Sequence, residues 1–134
     1  NHSSFAEFGG IWPSHCVEGT RGGAIHEAFY TDVVNPANRP DPARNIFRKG
    51  CKQDEEQYSG FESVNSNGVA LKDYANKDVV ISGIATEYCV KNTVEEFLNS
   101  GRNIELLLEG LGYVDYEGHK KTIKKLEEVV TVVK

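Results

Sequence analysis

From Lys77 to Lys134 the sequence alternates between two hydrophobic patterns, and that alternation constrains the fold more than any other feature. Lys77-Asp78-Val79-Val80-Ile81-Ser82-Gly83 is a short β-branched run ended by glycine, which predicts a strand. Thr86 then stands as a helix N-cap, and Val90, Val94, Phe97 and Leu98 recur on one side at helical spacing until Ser100-Gly101 stops the helix near Asn99. Asn103-Ile104-Glu105-Leu106-Leu107-Leu108 predicts a second strand. A second helix follows over about 117–128, with Ile123 and Leu126 turned inward, and Val129–Val133 closes with a third strand. Near-continuous apolar strands alternating with helices mark a parallel sheet covered by helices and joined by right-handed crossovers. The expectation is an α/β fold, a three-layer sandwich around a mostly parallel central sheet.

The first half is punctuated instead. Gly9-Gly10, Trp12-Pro13, Gly19 and Gly22-Gly23 predict turns, and Asn35-Pro36 to Asp41-Pro42 predicts a second loop-rich piece. Asn45–Lys49 is a short strand candidate, and residues 69–76 a short helix. No stretch has the composition of an interdomain linker, so residues 1–134 read as one domain with long excursions, and such excursions often line sites.

Charge and composition remove several classes of function. The formal net charge is -5, whereas a non-specific nucleic-acid binder needs a basic face. No apolar run approaches the ~20 residues that span a bilayer, so no membrane partner is expected. Cys16, Cys51 and Cys89 are odd in number and lack C-x-x-C spacing, which reads as free thiols in a reducing compartment, the cytoplasm. The glycine-rich pieces match neither G-x-G-x-x-G nor the phosphate-binding loop with its lysine.

Several residues could carry chemistry, beginning at the first strand's end. Gly83 ends that strand and Cys89 follows in the first turn of a helix, where unsatisfied N–H groups and the dipole favour an anion. A thiol there can act as a nucleophile, with the same amides holding an oxyanion, or it can pack as a structural cysteine beneath the helix. Lys49, read at the end of a strand, can reach such a site and stabilise negative charge, or it can lie in solvent. His2 and His15, in glycine- and serine-rich loops, are either metal ligands or surface histidines. His26 and His119 read as exposed. Trp12 before Pro13 can stack on a flat substrate or anchor its loop, and Tyr58-Ser59-Gly60-Phe61 can wall a pocket or pack a loop.

Four segments carry a resemblance over essentially the whole chain: Asn1-His2-Ser3-Ser4-Phe5; Trp12-Pro13-Ser14-His15-Cys16-Val17-Glu18-Gly19-Thr20; Lys49-Gly50 with Tyr58-Ser59-Gly60-Phe61; and Ser82-Gly83-Ile84-Ala85-Thr86-Glu87-Tyr88-Cys89-Val90. Their order and spacing resemble the nicotinamidase branch of the isochorismatase-like cysteine hydrolases. The resemblance implies that Cys89 is the nucleophile, Lys49 the lysine of its triad, and Ala85 and Cys89 the donors of oxyanion-hole amides, with a cis peptide at Ile84–Ala85. It also implies that Trp12 stacks on a pyridine ring, that Tyr58 walls the pocket, and that His2 and His15 ligate Zn2+, with Fe2+ or Mn2+ as alternatives. The implied reaction is hydrolysis of nicotinamide to nicotinate and ammonia through a cysteine thioester, in a possible homo-oligomer. Alternatives are a related cysteine amidase acting on another small substrate, or a non-catalytic interaction domain. Members of this family carry a further amino-terminal part, with a strand bearing the catalytic aspartate and an Asp-x-His pair of metal ligands. The resemblance therefore leads us to expect that these strands are absent from this chain and belong to a missing segment or a second fragment.

Overall fold

A computed structural model describes residues 2–134. Asn1, the first residue of the first quoted segment, lies outside the described residues. Two single helical turns, α1 (Ala28–Thr31) and α2 (Leu71–Tyr74), interrupt a loop-rich first half. From residue 78 onward the chain runs β1 (Asp78–Gly83), α3 (Lys91–Asn99), β2 (Asn103–Leu111), α4 (Tyr116–Leu126) and β3 (Thr131–Val133).

The strands lie in the order β1-β2-β3, and both neighbouring pairs are parallel. Val79 pairs with Ile104, Ile81 with Leu106, and Leu106 with Val132, so the apolar residues stand side by side across the sheet. The observed α/β fold with its parallel sheet agrees with the alternating pattern. The expected three layers are not all present among the described residues. Two successive right-handed crossovers in the strand order β1-β2-β3 put both helices on one face. Accordingly Val90, Val94 and Phe97 from the α3 side and Leu126 from α4 join Ile81, Ile104 and Leu106 in a single core cluster. Val80, on the alternate face of β1, is 62% exposed.

Local chemistry explains the boundaries and the departures from the expected ones. Asp115 has extended backbone angles and its carboxylate accepts from the Gly118 amide, so α4 starts at Tyr116 with a capped end. At the other end of α3, Gly101 adopts φ 81°, and the Gly101 and Arg102 amides return to the Leu98 and Phe97 carbonyls. Thr86 is not the N-cap expected from sequence. Its hydroxyl donates to the Gly112 carbonyl at 2.9 Å, and a wider turn, Thr86–Val90, precedes α3. Asn45–Lys49 is not a strand; among the described residues its one ladder contact is an isolated bridge from Arg48 to Val64. Strand β2 extends three residues beyond the expected Leu108, and β3 starts at Thr131 rather than Val129.

The loops are fastened mainly by polar side chains. Buried Asn65 accepts from the Asn67 and Val69 amides and donates to the Ala43 and Arg44 carbonyls. Lys72 donates to Glu62 at 2.6 Å, and this hydrogen bond holds its ammonium above the ordinary lysine value. Among the described residues no helix is long and apolar enough to cross a membrane.

Candidate active site

The site forms where β1 hands the chain to α3, at the carboxyl end of a parallel strand. Gly83 ends the strand with φ +131°, a conformation that L side chains rarely adopt. The Ile84–Ala85 peptide is cis, as the resemblance implied. The amides of Tyr88 and Val90 both converge on the Ala85 carbonyl, at 3.0 and 3.1 Å, and so shape the turn that holds Cys89. Among the described residues the Ala85 amide donates to no backbone carbonyl.

Cys89 is half-buried, and its Sγ receives a hydrogen bond from Lys49 Nζ at 3.3 Å. These residues are 40 positions apart in the chain, so the contact is a product of the fold. Lys49 reaches it from a loop and not from a strand end. The loop is held by Gln57, whose carbonyl accepts from Lys49 Nζ at 3.1 Å and whose side chain accepts from the Gly50 amide at 2.9 Å. The contact sets a positive charge beside the sulfur. Thr93 ties the same loop to the turn that holds Cys89. Its hydroxyl donates to the Cys89 carbonyl at 2.7 Å and accepts from the Gly60 amide at 2.9 Å.

Aromatic rings gather on Tyr88, the residue that precedes Cys89. Trp12 Nε1 donates to the Tyr58 hydroxyl at 3.1 Å, which fixes both rings. Tyr88 completes the group, with its ring centroid 4.9 Å from Trp12 in an edge-to-face arrangement and 5.7 Å from Tyr58. Sequence reasoning singled out neither Tyr88 nor Gln57 nor Thr93. Tyr88 had a legible signal in its position immediately before Cys89. Gln57 had none, because its role depends on a loop closing on itself.

The histidines are placed differently from the expectation. His2 Nδ1 accepts from the Ser4 amide at 3.1 Å and lies 2.7 Å from Ser4 Oγ, while Nε2 sits 3.0 Å from the Glu55 carbonyl. A carbonyl only accepts, so Nε2 carries the proton and Nδ1 has its lone pair occupied. His2 therefore presents no free nitrogen to a metal. His15 Nδ1 likewise faces the Pro13 carbonyl at 2.7 Å, which leaves only its Nε2 available. The Phe5 ring lies near both, with centroids 6.1 Å from His2 and 5.3 Å from His15. Among the described residues no group of three or more His, Cys, Asp or Glu side chains could hold a metal ion. The residues as placed do not fit the Zn2+, Fe2+ or Mn2+ site expected from His2 and His15. The physical reason is that, among the described residues, no third His, Cys, Asp or Glu side chain joins them. His119 also departs from its expected exposure: it is half-buried, with Nδ1 3.0 Å from Thr86 Oγ1.

Comparison with known proteins places this geometry among relatives. No family model matches the chain. It is 30% identical over 133 residues to the nicotinamidase/pyrazinamidase of Mycobacterium tuberculosis, covering 96% of this chain and 64% of that protein. It is similar to the zinc complex of the Pyrococcus horikoshii pyrazinamidase, with TM-score 0.77 and 32% identity, covering 100% of this chain and 69% of that one. It is also similar to PnC1 from L. infantum in complex with nicotinate, with TM-score 0.77 and 28% identity, over 100% of this chain and 66% of that one. The chain thus spans less than two thirds of the M. tuberculosis relative's length. With a thiol–ammonium pair at the strand's end and this degree of likeness to a solved pyrazinamidase, the chain belongs to the nicotinamidase and isochorismatase-like superfamily of hydrolases.

Proposed function

We propose that the site hydrolyses the carboxamide of a flat heteroaromatic ring, nicotinamide first among them, to the carboxylate and ammonia. The observation that carries this reading is the Lys49 ammonium 3.3 Å from the Cys89 sulfur, with the rings of Trp12 and Tyr58 packed on Tyr88, the residue before Cys89. The nicotinate held by the L. infantum relative supports it, since nicotinate is the product the reading requires.

In this reading the Cys89 thiolate attacks the carboxamide carbon. The carbonyl oxygen gains the negative charge, and the Ala85 and Cys89 amides stabilise it. Collapse of the tetrahedral intermediate breaks the carbon–nitrogen bond, the nitrogen takes a proton and leaves as ammonia, and a thioester remains. Water then cleaves the thioester to the carboxylate and regenerates the thiol. Lys49 holds negative charge near sulfur through both halves. The described residues put no carboxylate in hydrogen-bond contact with Sγ. In this reading the thiol proton goes to a carboxylate, the catalytic aspartate that the resemblance implies for the family. The rings orient the substrate's plane so that the carboxamide faces sulfur, which is the positioning that makes the attack effectively unimolecular.

Ammonia release from nicotinamide tests the reading, measured on the chain alone and with an aspartate-bearing amino-terminal segment of a nicotinamidase supplied in trans. Equal amounts of ammonia and nicotinate in either arrangement support it. Folded protein that hydrolyses neither nicotinamide nor another heteroaromatic carboxamide in both arrangements contradicts it. Within an active preparation, Trp12→Ala is expected to raise KM about tenfold and leave kcat within about threefold, because the ring binds ground state and transition state alike. Equal KM values for the two proteins would remove Trp12 from the binding site.

A further inference from the structure

The loop between β2 and α4 is fastened to the nucleophile's turn by more contacts than chain closure requires. The Gly112 amide donates to the Gly83 carbonyl at 3.0 Å, and the Gly112 carbonyl accepts from both the Thr86 amide and the Thr86 hydroxyl at 2.9 Å. Two residues on, the amides of Val114 and Asp115 both donate to one oxygen of Glu87, Oε1, at 2.8 and 2.7 Å. The other oxygen, Oε2, is shut away from solvent and has no hydrogen-bond partner among the described residues. A shielded oxygen without a partner loses hydration that nothing replaces, so this carboxylate is not optimised for stability alone. Glu87 is also two residues from Cys89, within the same Thr86–Val90 turn.

We propose that Glu87 is a positioning residue for Cys89, a proposal that rests on the reading of Cys89 as the nucleophile. Its carboxylate fixes one flank of the turn against residues 114–115, while Thr93 fixes the other flank by accepting from the Gly60 amide and donating to the Cys89 carbonyl. Between these anchors the turn is shaped by two amides meeting at the Ala85 carbonyl. Loss of Glu87 leaves the loop side of the turn held through Thr86 and Gly112, and the sulfur moves relative to the Lys49 ammonium. Glu87 has no contact with Trp12 or Tyr58 among the described hydrogen bonds and acts on the reaction only through Cys89.

The test is the iodoacetamide alkylation rate of Cys89, read by peptide mass spectrometry, with exposed Cys16 and Cys51 of the same molecule as internal references. Glu87→Ala is expected to slow Cys89 about tenfold relative to the references, since a displacement near 1 Å can cost up to about a hundredfold. Glu87→Gln keeps an oxygen that accepts from both amides, and is expected to stay within about threefold of the unchanged chain. Where an active preparation exists, kcat falls with the alkylation rate in Glu87→Ala while KM stays within about threefold. A Glu87→Ala protein with a lower denaturation midpoint and an unchanged relative alkylation rate overturns the proposal and leaves Glu87 a purely structural residue. If Glu87→Ala does not fold, Glu87→Asp decides: it keeps the charge but shortens the reach, and normal alkylation in that variant also overturns the proposal. Absence of amide hydrolysis in both arrangements would defeat only the nicotinamide reading, because the alkylation comparison still reports on the turn.

Discussion

Replacing Cys89 by alanine is expected to remove amide hydrolysis by about a thousandfold or more, because the proposed reaction runs through a thioester on that sulfur. The fold should survive. Cys89 is half-buried and its sulfur contacts an exposed lysine, so the stability change is expected to stay within about 1 kcal/mol. Paired measurements of ammonia release and urea denaturation check both halves of this expectation. Activity retained within about tenfold in the alanine variant would move the chemistry to another residue. Unfolding of the variant would instead return Cys89 to the structural role that the sequence left open.

Phe97→Ala is expected to lower the unfolding free energy by about 3–5 kcal/mol. The side chain is 1% exposed in the cluster with Val94, Ile104 and Leu106. It also meets Phe61 edge-to-face at a centroid distance of 4.9 Å, and the Arg102 guanidinium lies over the ring at 5.8 Å. Phe61 follows Tyr58-Ser59-Gly60, so the loss reaches the loop that holds Lys49. The variant should therefore lose activity at temperatures where it is still mostly folded. Val80→Ala is the control, since that side chain projects into solvent from the open face and should cost under about 0.5 kcal/mol. A Phe97→Ala cost under about 1 kcal/mol, measured by denaturant titration, would mean that the core has been wrongly located.

The second half of the chain was legible because its hydrophobic periods are those of its elements. Val90, Val94 and Phe97 lie at helical spacing and are all buried, and the Val79–Ile81 run pairs with the Ile104–Leu106 run in register. Errors came where a polar side chain overrides a propensity. Thr86 looks like a cap, yet its hydroxyl is used on Gly112, 26 positions away. Asn45–Lys49 has strand residues but no continuous neighbouring strand to pair with, so only the Arg48–Val64 bridge forms.

The site divides along the same line. Cys89 was legible from local pattern, since a glycine-ended strand followed by a helical turn locates the thiol. Lys49 was nameable as a candidate, but its contact with sulfur depends on the Gln57 loop and has no periodic signature. His2 and His15 were chosen by residue type in flexible sequence. Composition carries no information about hydrogen bonds to Ser4, Glu55 and Pro13, and those bonds decide which nitrogens remain free.

We propose that the fold, and not the thiol by itself, makes Cys89 reactive. Its most direct test is a competition at neutral pH, in which limiting iodoacetamide is offered to the folded chain and to its Lys49→Met variant and the label on each cysteine is counted. Cys89 should take up label about tenfold faster than the more exposed Cys16 and Cys51 in the unchanged chain, and lose that advantage when the ammonium is removed. Labelling that simply follows exposure, with Cys16 and Cys51 ahead of Cys89 and no effect of Lys49→Met, would contradict the account.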